Sequence, residues 1–359
     1  MEKRPHIVWI SPPDTSGRDR THTRGTEEPM ADAKPPSETE DVFDAIRSAC
    51  REVSVHARHV HVEVDRIPRW VEPWLETPLD VPQVDTTTHV VSDPPTTVAF
   101  FVTLAAVNFG SGHFPHLRKR PGRSGYFTVA AALKDRFDTE GPLSAEVLSE
   151  ISPEDCARLF AQNLTHPSIA LLMRRFAQSW NDLGRDLLEQ YGGSFVRCVE
   201  TADHSAARLV SLLSRQPFFR DVQSYRCWTV PFYKRSQLLA SDLSLAMNGQ
   251  GMGRFADLHR LTIFADNLVP HVLRTDGLLT YSEALSGAIA AEDPIPSGSE
   301  EEVELRACSV DCVERIVEYA ASQGVCWTAR DVDQVLWHRG QQPHIKRRGK
   351  RHRTLSVFY

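Results

Sequence analysis

The sequence predicts a mostly α fold in one domain, and three features predict it. Apolar residues recur at helical spacing along most of the chain, for example Val42, Ile46, Ala49 and Val53. Capping residues and Gly or Pro breaks cut these stretches into pieces of helix length. Only around "YRCWTVPFYK" (225–234) do β-branched and aromatic residues crowd closely enough for extended chain, so at most a short strand pair is expected.

Residues 1–38 are rich in Pro, Thr, Arg and Glu without periodicity and are expected to form a disordered leader. The single domain is expected over 39–359, since no composition break follows. Its first helix opens at "SETEDVFDAIRSACREV", with Ser37 and Glu40 at capping-box spacing. "PPTTVAFFVTLAAVN" (94–108) reads as a central, nearly all-apolar helix. A basic, glycine-containing loop (108–125) follows, then a helix at "YFTVAAALKDRF" and another at "SPEDCARLFAQ" with Ser152 as N-cap. A long helix over 167–191 stops at Gly192-Gly193, and short helices fill 194–214. Further helices are expected at 231–247, 258–264, 268–274, 301–321 and 329–337.

Composition excludes several classes. Hydrophobic residues at 41% and charged residues at 25% describe a soluble globular chain. A net charge of -6 argues against a stable nucleic-acid complex. No apolar run approaches membrane-helix length. Seven irregularly spaced cysteines and no export signal predict reduced thiols and a cytoplasmic location. Walker, dinucleotide, C-x-x-C and H-E-x-x-H motifs are missing, so neither a cofactor nor a catalytic metal is expected. "HARHVHVEVD" (56–65) reads as a polar helix end rather than a metal site. The run "IKRRGKRHR" (345–353) is either a solvated tail or an anion contact.

Two charges stand out inside segments that otherwise read as core. Lys234 shares a helical stripe with Leu238, Ser241 and Leu245, so its ammonium points where core leucines point unless it snorkels out. Asp266 sits in "LHRLTIFADNLVPHVL" (258–273). It is either a cap for the helix containing Pro270 or one half of an active Lys–Asp pair.

Around these residues the chain resembles the queuosine salvage family, the queuosine-nucleotide N-glycosylases that release the base queuine. The resemblance rests on ordered stretches over residues 95–359: "NF" (108–109), "GYF" (125–127), "YGGSF" (191–195), "FRDV" (219–222), "FYKRSQLLASD" (232–242), "LTIFADNLVPHVL" (261–273), "EVELRACS" (302–309) and the closing "FY". It implies a helical domain similar to the helix–hairpin–helix DNA glycosylases. It also implies hydrolysis of queuosine 5'-monophosphate, with Asp266 and Lys234 as the catalytic residues and Asn108 and Phe109 on the substrate side. Eukaryotic members place an aspartate three residues before that asparagine, where this chain has Ala105.

The implied chemistry asks for such residues. Breaking a ribosyl C1'–N bond builds positive charge on the sugar, which a neighbouring carboxylate stabilises, attacks or serves by orienting water. In a dry pocket Lys234 and Asp266 would each make the other tolerable. The flat base wants an aromatic neighbour, for which Phe109, Tyr233 and Phe264 are candidates. The phosphate wants His271, an arginine or the basic tail. The ammonium carried by queuine wants an acid, with Glu304, Asp311 and Asp242 as candidates. The competing readings are a non-catalytic RNA- or nucleotide-binding module and a helical scaffold in which Lys234–Asp266 is a structural ion pair.

Overall fold

In the computed structural model, helices begin where the chain supplies a cap. The structure describes residues 41–76, 79 and 83–359. The leader expected over 1–38 and the capping box at Ser37 and Glu40 lie outside them. Helix α1 (Val42–His56) opens on Asp41, whose side chain accepts from the amides of Phe43 and Asp44. Helix α2 (Pro94–Val107) is capped by Asp93, with Pro at the first turn, and is buried on every side from Thr97 to Val107, as an apolar sequence without a polar face requires. Helices α3 (Gly125–Glu140) and α4 (Pro167–Tyr191) follow, and α4 stops at Gly192 in the left-handed region, φ 60°. Ser152 caps its helix through a full capping box with Asp155.

The site is framed by the second half of the chain: α5 (Lys234–Ala246), α6 (Val269–Thr275), α7 (Glu300–Ser322) and α8 (Ala329–Gln341). The fold is mostly helical and its described residues form one compact unit. Among the described residues four short strands make two antiparallel pairs. Strands β2 (Val222–Tyr225) and β3 (Trp228–Pro231) form a hairpin where extended chain was expected. The other pair, β1 (Val60–Val62) with β4 (Leu279–Tyr281), joins distant segments and carries no periodic signal. Among the described residues no helix is long and apolar enough to cross a membrane. All seven cysteines are free.

One expected helix is absent. Within 258–264 only a 3-10 turn forms at Leu258–Arg260, and residues 261–265 run irregularly through the core. Side chains from three helices satisfy this backbone in place of helical bonds. The Thr262 amide donates to Gln237 Oε1 at 2.9 Å, the Phe264 amide donates to Asp333 Oδ1 at 2.9 Å, and the Ala265 carbonyl accepts from Arg306 Nε at 3.1 Å. The segment therefore arrives at Asp266 with its path set by α5, α8 and α7.

Candidate active site

A cavity of about 600 Å³ opens between the end of α2, the start of α3, α5, residues 264–268, α8 and the 346–359 segment. That is the size of a small-molecule site. The stripe Lys234, Leu238, Ser241 and Leu245 on α5 lines it, so this face points into a hollow rather than into packed core. Asp333, Gln334, Trp337, His338 and Gln341 form the matching face of α8. Asp266, Phe264, Asn108 and Phe109 complete the floor.

Two backbone anchors bring Lys234 and Asp266 together. Arg306, fully buried on α7, grips the Asp221 carboxylate with both terminal nitrogens, at 2.9 and 2.6 Å. Asp221 Oδ2 also accepts the Lys234 amide at 3.1 Å, at the start of α5, where Tyr233 takes a left-handed φ of 47°. The same guanidinium donates to Ala265, the residue before Asp266. Arg306 lies 3.9 Å above the Phe232 ring and 3.6 Å from Glu302. A single side chain thus ties down both segments that carry the pair.

Asp266 serves two ends. Its Oδ1 accepts from the amides of Leu268 (2.7 Å) and Val269 (3.1 Å) at the mouth of α6. Its Oδ2 has no hydrogen-bond partner among the described residues, and the residue lines the cavity. The N-cap of α6 is Leu268 rather than Asp266, yet one Asp266 oxygen is spent on the amides that open the helix and the other is left free. Lys234 is only 7% exposed, and its ammonium forms no hydrogen bond or ion pair with the described residues. Burial pulls its pKa below the ordinary lysine value, and the charge of Asp266, followed by those of Asp333 and Asp242, opposes that fall. Arg235 braces the neighbouring floor. It donates to the carbonyls of Ala105 (2.9 Å), Ala106 (2.8 Å) and Phe218, and its guanidinium sits 4.9 Å from the Phe109 ring centroid.

Burial raises the Asp333 carboxyl to about 7; the Phe264 amide and Lys234 hold it down, while Asp266 and Asp242 push it up. Burial likewise raises Asp242 to about 7, against the pull of Lys234 and Arg330. A carboxyl that holds its proton more tightly in the fold than in the unfolded chain supports the fold at acid pH. That support is whole below the ordinary carboxylate range and is lost as pH climbs through about 7. A shift of about three units corresponds to at most about 4 kcal/mol for one group. Asp333→Asn keeps an acceptor for the Phe264 amide and removes the titration. The melting temperature of the wild type should fall between pH 5 and pH 8, and that of Asp333→Asn should fall less. Parallel slopes in thermal melts would show that Asp333 does not titrate there.

At the mouth stand Lys119, Lys346 and Arg351, none with a carboxylate at ion-pair distance among the described residues. Arg123 and Arg353 also face the cavity but are paired with Asp85 and Glu292. Burial lowers the pKa of Arg351, countered by Asp266, and burial together with Arg351 lowers that of Lys346. Arg347 and Arg348 are exposed and do not line the cavity.

Of the residues singled out in the sequence, Lys234, Asp266, Asn108, Phe109, Phe264 and Asp242 meet in this cavity, and Tyr233, His271, Glu304 and Asp311 do not. Tyr233 is buried at the start of α5, outside the lining. His271 lies under the chain near Ile345, whose carbonyl is 3.3 Å from Nε2. Glu304 was a candidate partner for a substrate cation, and the structure spends it elsewhere. Its oxygens accept the amides of Arg58, His59 and Val60 and the Tyr225 hydroxyl, fixing the α1–β1 turn. Of the histidine cluster, His56 lies 3.9 Å from Glu52, while His59 has ligand atoms of Glu300 and Glu304 within 4.8 Å, and Glu304 is already saturated. Asp311 is taken by Arg51 and Arg315. Asp333, Gln334 and Trp337 were not foreseen as site residues, whereas Arg351 belongs to the basic run 345–353 already weighed as an anion contact. For the first three, the helical spacing within "DVDQVLWHRGQ" was a usable signal.

The family model described as queuosine salvage protein matches residues 88–359. A queuosine 5'-phosphate N-glycosylase/hydrolase from Sphaerobacter thermophilus is 34% identical over 325 residues, covering 88% of this chain and 97% of that protein. A Mus musculus protein of the same name is 31% identical over 66% of this chain and 72% of its own length. One from Dictyostelium discoideum is 33% identical over 65% and 71%.

Proposed function

This chain belongs to the queuosine salvage protein family, and from that premise we propose that it hydrolyses the N-glycosidic bond of queuosine 5'-monophosphate, yielding queuine and ribose 5-phosphate. The observation that carries the reading is the meeting of Lys234 and Asp266 in one cavity with Asn108 and Phe109. The free Oδ2 of Asp266 faces C1' and stabilises the positive charge that grows there as the bond to the base breaks. Lys234, buried beside it, supplies that carboxylate with an opposite charge. Water supplies the hydroxyl that ends on C1', and its proton goes to the base.

The base is a 7-deazaguanine, so no N7 is available for protonation. The proton must reach N3 or the O6/N1 edge. Asp333, whose carboxyl burial holds partly protonated near neutrality, is the group we assign to that edge. Asn108 lines the cavity with a side-chain amide that has no partner among the described residues, and it is assigned to the ribose or base. Phe264 and Trp337 offer faces for stacking. A cavity of about 600 Å³ suits a small molecule, which favours the free mononucleotide over a residue within RNA, and a cytoplasmic site of action agrees with that substrate.

The direct test is incubation with queuosine 5'-monophosphate followed by mass detection of queuine and ribose 5-phosphate. Binding without release would favour a non-catalytic nucleotide-binding module. The phosphate is assigned to Lys346 and Arg351, cations without carboxylate partners beside Asp266. Arg351→Met should raise KM about 10-fold or more with kcat little changed, the mark of binding shared by ground and transition states. Neutralising the exposed Arg347 and Arg348 together should leave KM where it is. The reverse pattern in steady-state kinetics would move the phosphate out of this corner.

A further inference from the structure

We propose that Asp242 is the specificity residue of this cavity, reading a protonated amine on the base at the end remote from the glycosidic bond. The inference rests on the reading of the cavity as a nucleotide N-glycosidase site and adds to it the feature by which this nucleotide is told from an ordinary purine nucleotide.

Asp242 lines the cavity eight residues beyond Lys234 on α5, and at the rise of an α-helix the two Cα atoms stand about 12 Å apart. With C1' beside Asp266 and the phosphate at the Lys346–Arg351 corner, the base extends along α5. A substituent on its five-membered ring then reaches toward Asp242. The span suits a bicyclic base with an aminomethyl extension.

The Asp242 carboxyl has no hydrogen bond or ion pair with any described residue. Arg330, across on α8, is turned to the Ser241 hydroxyl at 2.8 Å and acts on Asp242 only through space. Lys234 lies two helical turns away, Asp333 faces it from α8, and Tyr126 faces it from α3. None of these groups is a cation in contact with the carboxyl. Protein surrounds it closely enough to lift its pKa to about 7. Asp242 is half-buried, and a partly desolvated carboxylate without a partner is costly; a ligand that brings its own cation relieves it. A neutral base leaves it unpaired, and sites with a buried polar group left unpaired reject such analogues strongly.

The experiment compares two nucleotides that differ in that one charge, queuosine 5'-monophosphate and its neutral ether analogue, in which an oxygen replaces the side-chain amine nitrogen and the cyclopentenediol is kept. The wild type should prefer the cationic substrate by about 100-fold or more in kcat/KM, and Asp242→Asn should bring that ratio to within about 5-fold of unity. Equal losses on both substrates, or a wild type with no preference, would overturn the assignment. A wild type that hydrolyses neither would instead overturn the underlying reading, and the inference with it. A measurement on the wild type alone guards against a variant that fails to fold. Titration calorimetry of queuine at pH 6.5 in two buffers of different ionisation enthalpy should show a proton released on binding, because the incoming cation drives Asp242 to ionise. The neutral ether analogue of the base should release none. Equal proton counts for the two bases would refute the proposal.

Discussion

Replacing Asp266 by asparagine should lower kcat by about three decades or more and leave the fold standing. One opposite charge at about 4 Å and an effective dielectric near 20 is worth about 4 kcal/mol, which converts to about a thousandfold in rate. The fold survives because asparagine retains an Oδ1 to accept from Leu268 and Val269, so the cap on α6 is kept. The melting temperature should stay near wild type or rise, since a partly desolvated charge is gone. Lys234→Met keeps most of the stem and should also depress kcat. The double variant should be little slower than Asp266→Asn alone, as residues that act as a unit behave. If Asp266→Asn kept most of its turnover and melted many degrees lower, Asp266 would be a cap and nothing more.

Arg306→Met should give the largest loss of stability of any single change near the site, about 3–5 kcal/mol. The guanidinium neutralises Asp221 and lies beside Glu302, and all three side chains are at most 3% exposed. Methionine fills much of the volume but strands two carboxylates in the core. Denaturant melts should show the deficit, and the double variant Arg306→Met/Asp221→Asn should recover part of it because one stranded charge is removed with its partner. The kcat of Arg306→Met should fall as well, since the anchors of both Lys234 and Ala265 loosen together. A single variant within about 1 kcal/mol of wild type would mean that the ion pair is dispensable to the fold.

Much of this was legible because its causes are local. The bounds of α4 follow from Pro167 at one end and Gly192-Gly193 at the other. The stripe through Lys234, Leu238, Ser241 and Leu245 is a single face, although spacing alone could not tell packed core from cavity wall. The run 261–265 misled for a related reason. A short apolar stretch looks the same whether it is helical or irregular, and here the deciding partners Gln237, Asp333 and Arg306 are remote in sequence. Glu304 was recognisable as a buried acid on α7, but its true partners are the amides of residues 58–60. The pairing of β1 with β4 joins segments more than 200 residues apart and leaves no mark on either alone.

The dependence of the Lys234–Asp266 geometry on Arg306, and of the cavity on α8 and residues 346–359, has a consequence for the order in which the chain matures. A nascent chain that has emerged through α6 already contains Asn108, Lys234 and Asp266, yet it lacks the guanidinium that sets two of them in place. Catalytic competence is therefore acquired late, after contacts of long sequence separation close, and such contacts form slowly. A nucleotide supplied during refolding should do little to the refolding rate, the result expected of a pocket that closes only after the transition state. It should instead retard unfolding, the signature of an interaction made only once the native structure is complete.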